Sequence, residues 1–273
     1  MTQVLEAPAE ARRRTYDDHG VIIVRNLLTA AEVAQIREVF TAEIGPSSPH
    51  FRLDALVAPD EPLGRYPRMI NPHRIAETEA GRLARRFLLD ERITSIVSAL
   101  IGDCLAAQSM FYFKPPGARG QAMHQDNFFL RAAPETCLAA WVAIDDTDAE
   151  NGGLRVVPGS HTHEVVCPEA ADVAESFSPQ IVPVPEGMEV HQTRLAAGDA
   201  LFFHGSLLHG SRPNSSTDRF RRSLIFHYVP AGSVEIAAFY NPLVRPDGTD
   251  VDVTEAVGGG ACGDADVRDL PAP

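Results

Sequence analysis

Cysteine is sparse and unpatterned: Cys104, Cys137, Cys167 and Cys262 lie far apart with no C-x-x-C. That spacing argues against a zinc knuckle or a local redox dithiol and predicts four buried thiols in a reducing compartment. Basic charge is short too. The 24 lysines and arginines face 37 acids, leaving a net charge of −13, so no basic face for a nucleic-acid partner is expected. A single lysine, Lys114, stands among 23 arginines, a bias that looks like a GC-rich bacterial genome and by itself carries no chemistry. No apolar run approaches the roughly 18 residues of a bilayer span. Residues 1–14 carry arginines with no apolar stretch behind them, so a soluble, cytoplasmic chain without a membrane partner is the expectation.

What is present is a chain of 273 residues with 44% hydrophobic content, enough for a large domain whose core needs no staples. The run HGVIIVRNL at 19–27 predicts a strand. Thr29 and Glu32 then form a capping box, and Val33, Ile36, Phe40 and Ile44 follow at near-helical spacing until Gly45 and Pro46 stop them. Residues 46–73 are proline-rich and irregular, a long loop of the kind that tends to carry function. A second helical region covers 78–101, with Asp90 marking a split. From 105 onward come short apolar or alternating runs at 107–114, 121–129, 137–145, 153–157, 200–204 and 222–229, separated by Gly, Pro, Asn and Asp. Such spacing predicts a mostly β domain with flanking helices, a sandwich or barrel. One domain over 1–240 is expected, then an acidic Gly/Asp-rich tail over 241–273, partly disordered, in which seven acids face two arginines.

Within the β-rich half, His124-Gln125-Asp126 sets an imidazole and a carboxylate two residues apart, on one face if the segment is a strand. A lone His-x-Asp is common by chance, and a surface pair is the competing reading. His209 is the candidate third ligand, placed after an apolar strand and before a polar loop. Two histidines and one carboxylate leave open the positions that non-haem Fe(II) oxygenases use. His204-Gly-Ser206 duplicates the His209 tripeptide but ends the apolar strand directly. Twelve residues beyond His209, Arg221 and Ser223 share a face at the start of a strand. A guanidinium fork with a hydroxyl beside it suits the distal carboxylate of 2-oxoglutarate. Arg219 and Arg222 stay open as anchors if the loop register differs. His227 lies on the same strand face, while His73 and His191 are unassigned. The acidic stretch 145–153 lacks the glycine position and closing glutamate of an EF-hand and reads as a turn. His161 and His163 follow a tight turn and read as structural.

In order and spacing these pieces resemble the phytanoyl-CoA dioxygenase family of Fe(II)/2-oxoglutarate oxygenases. The resemblance covers roughly residues 18–230 and rests on GVIIVRNLL at 20–28, His124-Gln-Asp126, AWVA at 140–143, NGG at 151–153, VPGSH at 157–161, GDALFF at 198–203, LHGS at 208–211 and Phe220-Arg221. It implies a double-stranded β-helix, a cupin-like jelly roll, with iron held by His124, Asp126 and His209. It also implies 2-oxoglutarate gripped by Arg221, with Ser223 beside it, lying against Gln108, Trp141 and Ser211, and with Arg68 as a further basic contact. O2 is the remaining cosubstrate, and ascorbate serves as reductant in vitro. An intact Asp126 argues against a halogenase. The expected function is hydroxylation or oxidative cyclisation of a polar small molecule in bacterial, antibiotic-type metabolism. A non-catalytic metal-binding jelly-roll module, or a metal-dependent hydrolase or isomerase on the same scaffold, are the competing functions. Residues 46–73 and 162–194 are expected to form the pocket mouth and lid. Monomer and homodimer are both open, and the substrate itself is not legible.

Overall fold

The computed structural model describes residues 5, 6, 8–44, 51, 61–66, 68–258 and 260–263. Gly20, in the left-handed region at φ 72°, ends helix α1 (Arg12–His19) and turns the chain into β1 (Val21–Val24). Helix α1 was not expected: in RRRTYDDH only Tyr16 is buried, so there is no apolar stripe to read. The Thr29–Glu32 capping box starts α2 (Ala30–Ala42), which buries Val33, Ile36, Val39 and Phe40. After the short β2 (Met69–Ile70), α3 (Glu79–Leu88) and α4 (Glu91–Ile101) divide at Asp90, whose carboxylate accepts from the Arg92 N–H.

The strands follow as β3 (Cys104–Tyr112), β4 (Gln121–His124), the one-turn helix α5 (Asn127–Leu130), β5 (Leu138–Ala143) and β6 (Leu154–Val156). Then come β7 (Glu169–Ala170), β8 (Gln180–Ile181), β9 (His191–Gln192), β10 (Ala200–His204), β11 (His209–Ser211) and β12 (Ser223–Pro230). The chain closes with β13 (Glu235–Ile236), β14 (Leu243–Val244), β15 (Asp250–Val251) and β16 (Thr254–Glu255). A large sheet in the order β1-β10-β5-β12-β3-β14-β15, with β2 on β3, faces a smaller one in the order β4-β11-β6-β9. Pairing within both is antiparallel. This is the jelly roll with flanking helices that the resemblance implied.

The large sheet is buried on both faces, which is why β5 (LAAWVA) and β10 (ALFFH) read as continuous apolar runs rather than alternating ones. One face, carrying Ile22, Phe111, Val142, Phe202 and Phe226, packs on α2, α3 and α4, with Phe40 and Phe111 stacked at 4.2 Å. Each such ring contributes about 2 to 3 kcal/mol by removal from water. The other face, carrying Met110, Trp141, Leu201, Phe203 and Ile225, meets Leu154 and Val156 of the small sheet. The functional cavity opens inside this second layer.

Several expectations need correction. The strand expected over 121–129 ends at His124, and Asp126 is already helical at φ −64°, ψ −34°. The chain bends there because Asn127 N–H donates to Gly205 O and the Asn127 amide to Ser206 Oγ, so the backbone leaves the ladder. The cysteines are not four buried thiols. Cys104 and Cys137 are, but Cys167 is exposed and is joined to Cys262 in a disulfide across 95 residues. Both lie outside the hydrophobic clusters, and sequence distance hides a pairing that only the fold creates. Residues 162–194 are tied to the small sheet. Val182 N–H donates to Met123 O, Val166 N–H to the Gln125 side chain, and Val182 joins Met123, Val157 and Leu208 on the outer face of the small sheet. In the stretch expected as a tail, β14 and β15 extend the large sheet, while 264–273 lie outside the described residues. Of the 46–73 loop, residues 46–50, 52–60 and 67 also lie outside them. No described helix is long and apolar enough to cross a membrane.

Candidate active site

His124 ends β4 and His209 begins β11, and the two are directly opposite partners in the antiparallel ladder, their rings 4.1 Å apart. Asp126 comes from the bend rather than from the strand face. It occupies the N-cap of α5, yet its carboxylate makes no capping bond and turns back toward the two rings. Nε2 of His124 and Nε2 of His209 each stand 3.6 Å from Asp126 Oδ1. Among the described residues these three form the one group of three or more potential metal ligands, with donor atoms within 4.8 Å of one another.

The tautomers suit a cation. Nδ1 of His124 donates to Ala122 O, and Nδ1 of His209 to Leu207 O, both at 2.9 Å. Each Nε2 is thereby left as a lone pair. The Gln121 amide, 3.2 Å from His124 Nε2, is the donor expected beside such a lone pair. Burial, and then the neighbouring His209, push the pKa of His124 down to about 4, so the ring is neutral at physiological pH. Burial alone would raise the Asp126 pKa, but the imidazoles of His209, His227 and His124 hold it below the ordinary carboxylate range. Two imidazoles and one carboxylate, with no thiolate, fit a ferrous ion rather than structural zinc or electron-transfer copper.

His227, on β12, bonds the outer oxygen of the same carboxylate, Nε2 to Oδ2 at 3.1 Å. It fixes the orientation of Asp126, the kind of outer partner that metal-ligating groups require. Its strand parity with Arg221 and Ser223 was the signal that pointed to it.

A cavity opens beside this cluster. Arg221 and Trp141 line it, the guanidinium lying 5.6 Å from the indole centroid. Burial lowers the pKa of Arg221 to about 10. Arg219 pairs with Asp148 and Glu150, and Arg222 makes a bidentate contact with Asp145. Both are thus spent on partners of their own, and neither lines the cavity. Ser211 does line it. Ser223 does not; it is fully buried and accepts from Arg221 Nη1 at 2.9 Å. Gln108 lies two residues before Met110 on β3, opposite His227, completely buried and with neither amide atom bonded. Arg68 sits over the Phe177 ring at 4.9 Å and interacts with the Tyr112 phenol, so it approaches the cavity edge without lining it. His204 faces Tyr16 and His161, away from the cluster, and His73 bonds Ser109. Met110, Tyr112, Gln121, Leu154, Phe203 and Ile225 complete the walls. Tyr112 was within reach of the parity argument applied to β3, but Gln121 and the wall residues carried no separate signal.

The family model described as Phytanoyl-CoA dioxygenase (PhyH) matches residues 16–223. The chain belongs to the phytanoyl-CoA dioxygenase family. Among curated relatives, Phytanoyl-CoA dioxygenase 1 of Oryza sativa subsp. japonica is 31% identical over 153 residues, 55% of this chain and 54% of that protein. The match therefore spans about half the length of that relative. Among solved structures, the epimerase SnoN in complex with Fe3+, alpha ketoglutarate and nogalamycin RO aligns with TM-score 0.63 and 23% identity over 95% of this chain and 96% of its own. The alpha ketoglutarate dependent carbocyclase SnoK from nogalamycin biosynthesis aligns with TM-score 0.62 and 22% identity over 85% and 87%. The two solved structures share the fold of this chain.

Proposed function

We propose that this phytanoyl-CoA dioxygenase family member is an Fe(II)- and 2-oxoglutarate-dependent oxygenase. The observation that carries the reading is the juxtaposition of the His124–Asp126–His209 cluster with a cavity whose wall holds the buried guanidinium of Arg221. A metal site of two imidazoles and one carboxylate, next to a buried cation with no ion-pair partner among the described residues, has one part for the metal and one for the diacid.

In this reading His124, Asp126 and His209 hold the iron, and His227 keeps the Asp126 carboxylate turned toward it. Arg221, backed by Ser223, binds the distal carboxylate of 2-oxoglutarate, and Trp141 flanks it. Met110, Leu154, Phe203 and Ile225 exclude water from the reacting centre. When bound, the iron and 2-oxoglutarate supply O2 activation coupled to decarboxylation to succinate and CO2; the protein supplies position and dryness. The substrate proposed is a polar small molecule of bacterial specialised metabolism, hydroxylated or oxidatively cyclised. The likeness in fold to SnoN and SnoK, both from nogalamycin biosynthesis, motivates that class.

The test is succinate formation from 2-oxoglutarate under Fe(II), O2 and ascorbate, with Asp126→Ala as control. Succinate that disappears in the variant is expected. Metal binding with no decarboxylation, with or without candidate substrates, would support a non-catalytic module instead, and turnover of a substrate without 2-oxoglutarate would support a hydrolase or isomerase.

A further inference from the structure

Lys114 and Arg221 face one another across the extension of β3 and β12. Each backbone N–H donates to the other's carbonyl at 3.0 Å. The two residues are 1% and 5% exposed. Like charges directly opposite on neighbouring strands are destabilising, and burial adds desolvation of both. No described carboxylate forms an ion pair with either; Arg221 bonds Ser223, and Lys114 bonds only oxygens of neutral groups. The chain's single lysine is thus buried beside another cation.

The surroundings are shaped around that ammonium. Nζ donates to Ser211 Oγ at 2.7 Å, Arg212 O at 2.8 Å and Gly152 O at 3.2 Å. Gly152 adopts φ 71°, and a Cβ there would lie 2.6 Å from Arg212 O and 2.9 Å from Lys114 Cδ. The Asn151-Gly152-Gly153 turn can close over the lysine only without that side chain. Two of the three acceptors are carbonyls and can do nothing but accept. Ser211 is different. Its Oγ accepts from Lys114 and, at 3.3 Å, from the Gln121 N–H. A hydroxyl has two acceptor sites and one proton. With both sites taken, the proton must be donated, and no described residue accepts it. Ser211 lines the cavity together with Arg221.

We infer that Lys114 is a positioning residue for the dicarboxylate: acting through Ser211, it commits the hydroxyl proton to the same carboxylate that Arg221 grips. The role rests on the 2-oxoglutarate reading given above. Burial and the charges of Arg221 and Arg155 push the Lys114 pKa down, and an arriving carboxylate favours the ammonium again. The buried like-charge pair is thus the mark of a site completed by an anion.

The experiment is an O2-free calorimetric titration of the Fe(II)-loaded protein with 2-oxoglutarate and, in parallel, with 2-oxopentanoate, which lacks the distal carboxylate. Wild-type protein is expected to prefer the diacid. Lys114→Met and Ser211→Ala should each weaken diacid binding about tenfold or more, the range of a charge-assisted hydrogen bond, and leave the mono-acid within about twofold. The double variant should be no weaker than either single one, since both remove one proton's commitment. Losses that multiply in the double variant, or equal losses for both acids, would overturn the role. Ser211→Ala retains the lysine, so an unchanged diacid affinity in that variant alone overturns it even if Lys114→Met fails to fold. Wild-type protein that does not bind 2-oxoglutarate would sink the oxygenase reading with it; wild-type binding with unaffected variants would sink only the role of Lys114.

Discussion

Arg221→Met removes the guanidinium from the cavity while keeping an apolar chain of similar length. The magnitude follows from the burial of that charge. Its pKa falls from 12.5 to about 10, and at about 1.4 kcal/mol per pH unit this corresponds to roughly 3 kcal/mol spent on holding a cation there. The free protein should therefore lose nothing by the change and melt at the same or a higher temperature. Ligand binding should respond in the opposite direction. Removing one partner of a buried, hydrogen-bonded charge pair costs about 3 to 5 kcal/mol, a drop in 2-oxoglutarate affinity of roughly one hundred-fold to a few thousand-fold. The Fe(II) affinity should be unchanged, because the ligand cluster does not include Arg221. Calorimetric titration under nitrogen, with differential scanning calorimetry of the same samples, reads both quantities. Diacid affinity within about threefold of wild type, or a clear loss of stability with affinity retained, would show Arg221 to be a structural residue and refute the reasoning.

Other outcomes follow from the same geometry. His227→Phe leaves Asp126 Oδ2 without its donor and should weaken Fe(II) binding by about ten- to a hundredfold; competition against a chelator measures it, and an unchanged constant would assign His227 to packing. His73 is buried against Ser109, and burial, then Arg74, lowers its pKa from 6.5 to about 3. A depressed histidine pKa means that below pH 6.5 the unfolded chain binds a proton the folded one refuses. Stability should thus fall by about 1.4 kcal/mol per pH unit from this group on acidification. His73→Gln should flatten the slope by that amount in urea unfolding between about pH 6 and pH 4; an equal slope would contradict the assignment. Phe111→Ala, at the stack with Phe40, should cost about 3 to 5 kcal/mol of stability by leaving a cavity beneath α2, and a loss under about 1 kcal/mol would argue that the two layers repack.

What was legible in the chain divides along physical lines. Helix α2 was readable because its cap and its stripe are both local, and β10 because it is an apolar run buried on two faces. Helix α1 was not, since its RRRTYDDH offers one buried residue and is held by tertiary contact. The identities in the His-x-Asp motif were visible, but its geometry was misread. Asp126 approaches the cluster through a bend created by Asn127 bonds to residues nearly eighty positions away. Arg219 and Arg222 are held by partners from a distant loop, Asp145, Asp148 and Glu150, which no local pattern announces, and this favours Arg221 as the proposed anchor. Lys114 shows the same limit from the other side. Its rarity was plain in the composition, yet its meaning depends on the cross-strand register with Arg221 and on a glycine turn 38 residues on. The Cys167–Cys262 pairing likewise depends on where two peripheral segments meet.

The most direct test of the central claim is a crystal structure of the protein grown without O2 in Fe(II) and 2-oxoglutarate. The account predicts iron bonded to His124, Asp126 and His209, with the distal carboxylate of the diacid on Arg221. Iron bound elsewhere, or a diacid whose far end does not reach Arg221, would contradict it.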